Sequence, residues 1–185
     1  MKKLFQLKTI AGFAVALLIS TAASAQMGGG KTIASPRDSV SGKIGGATIS
    51  INYGSPSVKG RKILGAIEPY GKPWRAGANA ATTFTTDKDL TIQGKKLPAG
   101  KYTIFMTPGE TEWKVMFNSA LGEWGIKKDA SDSRGYSAND DPAKDVLVIT
   151  VKPKTVAMTE RLKYEINSKG FELVWETTSV PVSIK

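Results

Sequence analysis

In KYTIFMTPGETEWKVMFN, residues 101–118, Tyr102, Ile104 and Met106 alternate with Thr103, Phe105 and Thr107. Pro108-Gly109 stops the run, and Trp113, Val115 and Phe117 then share one side of the next. A period of two sends successive side chains to opposite faces of a strand, so two such runs across a Pro-Gly turn predict an antiparallel hairpin. The same period holds on both sides of it. Upstream lie SPRDSVSGKI (35–44), read as an edge strand closed by Gly45-Gly46, and ATISINY (47–53), with Ile49, Ile51 and Tyr53 on its buried face. TTFTT (82–86) and LTI (90–92) follow, then a turn at Gln93-Gly94-Lys95-Lys96. Downstream, DVLVITV (145–151) is the most apolar strand and is expected to be central. RLKYEIN (161–167), FELVWE (171–176) and VPVSI (180–184) form a closing meander, with a turn at Ser168-Lys169-Gly170. No helical period exceeds a turn or two near Lys62–Ile67. About nine short strands at turn-punctuated spacing predict an all-β fold, an antiparallel β-sandwich or a jelly-roll-like barrel.

The chain opens on Lys2, Lys3 and Lys8, an apolar run from Ile10 to Ile19, and Ala23-Ser24-Ala25. This is the layout of a secretory signal peptide over 1–25, cut between Ala25 and Gln26. The apolar run is half the length a membrane span needs, so no transmembrane segment is expected after cleavage. A flexible Gly-rich segment (26–34) and one β-sandwich domain (35–185) complete the organisation, and the expected location is periplasmic or secreted. Cleavage removes three lysines and lowers the formal charge from +10 to +7. The remaining basic residues are scattered rather than blocked, and no nucleic-acid motif is present, so nucleic acid is not an expected partner.

The chain has no cysteine and no histidine. No disulfide can staple the fold, Ser-His-Asp and Cys-His nucleophile systems are excluded, and ordinary zinc sites lack their ligands. Carboxylate pairs, Lys or Tyr bases and all-oxygen metal sites remain.

Chemistry concentrates in YGSPSVKGRKILGAIEPYGKPWRAGANAATT, residues 53–83. Three prolines and five glycines (Gly54, Gly60, Gly65, Gly71, Gly77) fix its path, and no clean strand or helix period runs through it. WRAGAN sets an aromatic ring, a guanidinium and an amide among small residues. Arg75 offers a donor fork suited to carboxylate, phosphate or sulfate, Asn79 a donor and an acceptor, and Trp74 a face for a sugar ring. With Lys59, Arg61 and Thr82 they make a candidate binding set for a small anionic or carbohydrate ligand, or an envelope protein. The competing reading makes Arg75 a staple onto backbone carbonyls or an acid of the Glu123–Asp145 loop, with Trp74 plugging the sandwich and Asn79 bonding its own loop.

Asp129, Asp132, Asp140 and Asp141 could in principle offer oxygen to calcium, but the EF-hand template fails at Arg134, where glycine is required. A solvated acidic loop is the expectation, with no metal and no cofactor. Glu123, beside Trp124, and Asp141 are the acids a hydrolase reading would use, with Arg75 orienting a glycan substrate.

The residues YGSPSVKGRKILG, PYGKPWRAGAN, the Thr82-Thr83 pair and PAGKY (98–102) resemble the bacterial family known as domain of unknown function 2911, over about Ser35 to Trp175. Leu64 stands where that pattern usually has Trp, and Ala80 where an acid usually follows GAN. The resemblance implies a secreted β-rich domain and carries no established activity. The expected function is therefore a non-enzymatic exported domain binding through the 53–83 loop, with a carboxylate-based hydrolase as the alternative.

Overall fold

Gly45 and Gly46 take φ of 56° and 80°, the left-handed region that a two-residue hairpin turn demands. They join β1 (Arg37–Ile44) to β2 (Ala47–Gly54), with Ile44 opposite Ala47 and Arg37 opposite Gly54. The computed structural model describes residues 34–122 and 124–185. The signal-peptide reading, the lead-in before residue 34 and Glu123 lie outside the described residues. After β2 come β3 (Thr82–Thr86), the short pair β4 (Leu90–Ile92) and β5 (Lys95–Leu97), β6 (Gly100–Thr107) and β7 (Trp113–Asn118). The short pair β8 (Ile126–Lys128) and β9 (Tyr136–Ala138), β10 (Asp145–Val151), β11 (Lys154–Asn167) and β12 (Gly170–Ser183) complete the chain.

The fold is all-β and sandwich-like. One layer is an antiparallel sheet of six strands in the order β1-β2-β3-β6-β7-β10. The β6–β7 hairpin falls in the expected register, with Ile104 opposite Phe117 and Met106 opposite Val115. The other layer is built on the β11–β12 hairpin. The chain end joins it to β4, since Lys185 N donates to Thr91 O at 2.9 Å and Gln93 N to Ser183 O at 3.0 Å. Between the layers Ile49, Ile51, Phe84, Ile104 and Phe117 meet Leu162, Tyr164, Phe171 and Leu173 in one core. Phe84 lies edge-on to Phe117 at 5.3 Å and 5.6 Å from Phe171, pairs worth roughly 0.5–1.5 kcal/mol each beyond their burial.

Two expectations need correction. DVLVITV is an edge strand of its sheet rather than a central one. Leu147, Ile149 and Val151 point inward while Val146 and Val148 stay exposed, so its apolar character reflects one buried face and two unburied valines. FELVWE and VPVSI are parts of one continuous strand, kinked at Glu176 (φ 50°), where the register against β11 slips. As expected, no helix forms at Lys62–Ile67, which makes turns, and the helical turn among the described residues is a 3-10 segment, Pro142–Lys144. The described strands number twelve, and β5, β8 and β9, which go beyond the about nine expected, are three-residue pieces too short to show a period. Among the described residues no helix is long and apolar enough to cross a membrane.

Residues opposed in register share a face, so Asn52, Thr83 and Thr103 make one row across the outer side of the six-stranded sheet. Ser50, Thr85 and Lys101 make the next. Further along, this face turns apolar at Phe105 and Met116, where Ala138 of β9 packs on it. The segment after β7 thus covers one half of the outer face and leaves the other open.

Candidate functional site

The WRAGAN turn is built where two backbones cross. Ala78 N donates to Gly54 O at 3.2 Å, and a Cβ added to Gly54 would stand 1.9 Å from Ala78 O. One on Gly77 would stand 2.8 Å from Thr82 Oγ1. Both glycines are demanded by close approach. Ala76 and Asn79 adopt φ of 52° and 64°, a conformation that costs a side-chain-bearing residue roughly 1–2 kcal/mol.

What holds the strained turn is a set of four donors on two consecutive carbonyls. The Ala76 carbonyl accepts from Thr82 Oγ1 at 3.0 Å and from the Tyr164 hydroxyl at 2.9 Å. The Gly77 carbonyl accepts from Trp74 Nε1 at 3.1 Å and Arg75 Nε at 3.3 Å. A carbonyl oxygen has two lone pairs, so both buried acceptors are filled. The Tyr164 phenol, pushed well above its ordinary pKa by burial, stays a donor.

The six residues of the expected binding set fall in different surroundings. Trp74 is 3% exposed, exchanges backbone hydrogen bonds with Met106 at 2.7 and 2.8 Å, and stacks on Trp175 at 5.8 Å. Its ring is core, not a platform open to solvent. Thr82 is fully buried beneath Ala76. Asn79 donates to Ser35 O at 3.0 Å, reaching the segment before β1 rather than its own loop. Lys59 and Arg61 lie apart from these, on a turn docked to β11 by Val58 N to Glu160 O at 2.8 Å. There Lys59 N donates to Glu160 Oε1, and the exposed Arg61 guanidinium closes onto the Val58 and Ser57 carbonyls at 2.9 and 2.8 Å.

Arg75 runs beneath the segment after β7, so close that a Cβ on Gly125 would stand 2.4 Å from its Cδ. Its head shares a small cavity with Glu68, Arg134 and Tyr136. Arg134 donates to Glu68 Oε2 at 3.2 Å and grips Asp132 through Nε at 2.9 Å and Nη2 at 3.0 Å. Lys72 Nζ adds a contact to Asp132 at 2.9 Å, and the Arg134 guanidinium lies 5.0 Å over the Tyr136 ring. Hydrogen bonds from Arg134 and Lys72 hold the Asp132 carboxyl far below the usual carboxylate range. Burial pushes Glu68 the other way, up to about 7, against the pull of Arg134 and Arg75. Burial lowers the Arg75 pKa, with the Glu68 charge opposing. The cavity measures about 10 Å³, room for a single water and for no substrate.

This cluster escaped the sequence reading. Its signal was there in Glu68, the one acid among the cations of 53–83, and in Asp132 and Arg134 two residues apart. The other aspartates serve separately. Asp129 accepts from the Ser131 amide and hydroxyl at 3.0 and 2.6 Å, and Asp141 caps the 3-10 turn through Ala143 N at 3.1 Å. No three acids converge among the described residues.

A family model described as a protein of unknown function, DUF2911, matches residues 35–184, and the chain belongs to that family. No curated protein and no solved structure matches it.

Proposed function

We propose that this DUF2911 domain is an exported, non-enzymatic β-sandwich that holds an anionic or carbohydrate ligand, and that its 53–83 stretch is the frame rather than the contact surface. One observation supports it above the rest. Glu68, the acid beside Arg75, faces a cavity that admits one water, so acid-base chemistry on a glycan has no room there. The side chains that read as ligand-seeking support the same view, because Trp74, Arg75 and Thr82 donate to the turn they belong to.

The test is a thermal-shift screen of the processed protein against glycans, organic acids, phosphates and calcium, with hydrolysis of each glycan followed in parallel. A ligand that binds only the native state raises its melting point. The expected result is stabilisation by an acid or a glycan without turnover, and a lowered melting point in Arg75→Ala with or without ligand. Turnover of any of these glycans by the protein would overturn the reading.

A further inference from the structure

We propose that the open half of the outer sheet face is a trough for an acidic oligosaccharide, held between Arg37 and Lys101 with one sugar stacked on Trp124. This rests on the binding reading above and gives it a location and a ligand class.

The trough has a volume of about 480 Å³, within the range of ligand sites. Its floor is the two rows already described, Asn52-Thr83-Thr103 and Ser50-Thr85-Lys101. An exposed antiparallel face is ordinarily polar, so hydroxyls alone would say little. Three further features set this one apart. Its described lining carries two cations, Arg37 and Lys101, and no acid. Arg37 is held in place by neutral partners, donating to Ala80 O at 3.2 Å and to Asn52 Oδ1, so its charge is uncompensated there. Lys101 makes no ion pair among the described residues.

The rim supplies the second feature. Trp124 is 57% exposed and Leu121 45%, while the other three tryptophans are buried. Trp124 is paired with Ala80 in an antiparallel bridge, and Ala80 lines the trough, so Trp124 stands at its rim. An indole left in water beside a polar floor offers its face to the C–H side of a sugar ring.

The third feature is anchoring. Thr103, on the floor, donates to Ala120 O at 2.5 Å, tying the base of the rim to the sheet. Gly122, two residues on, forms part of the wall. The wall at Ala120 and Gly122 is therefore tied to the sheet before any ligand arrives, which lowers the ordering cost of binding. Donor-acceptor hydroxyls for sugar oxygens, two cations for carboxylates and one free aromatic face together specify a carboxylated sugar chain.

Tetragalacturonic acid and its fully methyl-esterified form are the probes, titrated into the intact processed protein by calorimetry and by tryptophan emission. Trp124 is the solvent-exposed fluorophore, so occupancy should shift emission to the blue. The expected result is saturable binding of the acid form, at least tenfold weaker binding of the ester, and weakening as salt is raised. Lys101→Glu, Trp124→Ala and Ala80→Asp, which sets a carboxylate beside Arg37, should each weaken binding at least tenfold with the melting point little changed. Equal binding of acid and ester, parent-like affinity in Ala80→Asp and Lys101→Glu, or an equal response to phosphate or acetate would overturn the trough. If tetragalacturonic acid fails while another acid or glycan stabilises the protein, the trough falls and the binding reading stands. If it is cleaved, the binding reading falls.

Discussion

Replacing Glu68 by Gln should change how stability depends on pH, in a direction and by an amount that follow from one buried carboxyl. Burial raises its pKa from 4.5 to about 7 despite Arg134 and Arg75 nearby. The native state therefore keeps a proton that the unfolded chain has already released between those values. Stability carried by the neutral acid is complete below about pH 4.5 and is lost as pH rises through about 7. Moving the midpoint that far is worth about 3 kcal/mol once both states are ionised, at roughly 1.4 kcal/mol per pH unit. Glutamine has the shape of the neutral acid and cannot titrate. Glu68→Gln should match the parent near pH 4.5 and exceed it by about 3 kcal/mol near pH 8, or roughly 6–12 °C in melting temperature for a domain this size. The assay is urea unfolding of both proteins from pH 4.5 to 8.5, taking the difference so that all other groups cancel. Asp140 and Asp145, which burial also raises, titrate alike in both proteins. A difference that stays flat, or a parent that gains on the variant as pH rises, would refute the assignment of Glu68 as a carboxyl whose burial outweighs its ion pair.

The Ala76 carbonyl gives a second test. Thr82→Val and Tyr164→Phe each remove one of its two donors and should cost about 1 kcal/mol, while the double variant should cost more than their sum because a buried acceptor is then orphaned; additive losses in denaturant unfolding would count against it. Ala76→Gly relieves the φ of 52° and should leave stability unchanged or raised by up to about 1 kcal/mol, where glycine elsewhere in a strand or turn would lower it. Gly54→Ala drives a methyl into Ala78 O and should destabilise by about 3 kcal/mol or more, read as a lowered melting point. Trp74→Ala removes a buried ring stacked on Trp175 and should cost about 3–5 kcal/mol whatever ligand is present.

The sandwich was legible because its strands bury one face. Ile49, Ile51 and Tyr53 recur at every second position, and so do Tyr102, Ile104 and Met106, and both sets reach the core. Position within the sheet was not legible. The most apolar strand, 145–151, lies at the edge, because a strand's composition reports how much it buries and not which neighbours it has. The segment after β7 also hid its structure. Residues 126–128 and 136–138 pair across a turn closed by Asp129 N to Gly135 O at 3.1 Å, and three residues are too few to show a period. What fixes that segment is long-range: Arg134 on Glu68, Gly125 on Arg75 and Ala138 on Phe105. None of those pairings leaves a local pattern.

The 53–83 stretch shows why residues that cannot be swapped freely need not be a binding site. Buried backbone outside a ladder must find its partners elsewhere, and each carbonyl left without a donor costs about as much as a lost hydrogen bond. A chain crossing between layers must recruit donors from side chains, and the donors that reach farthest are indole, guanidinium, hydroxyl and phenol. Trp74, Arg75, Thr82 and Tyr164 supply one each. The same types in the same spacing would equally grip an anion, so sequence alone could not choose. Structure separates the two cases by asking where each donor is engaged. By that measure the turn is closed on itself, whereas the hydroxyls of Ser50, Thr83 and Thr85 and the ammonium of Lys101 have no partner among the described residues. Polar groups that the fold does not use, gathered on one concave face, are where a ligand can still find donors.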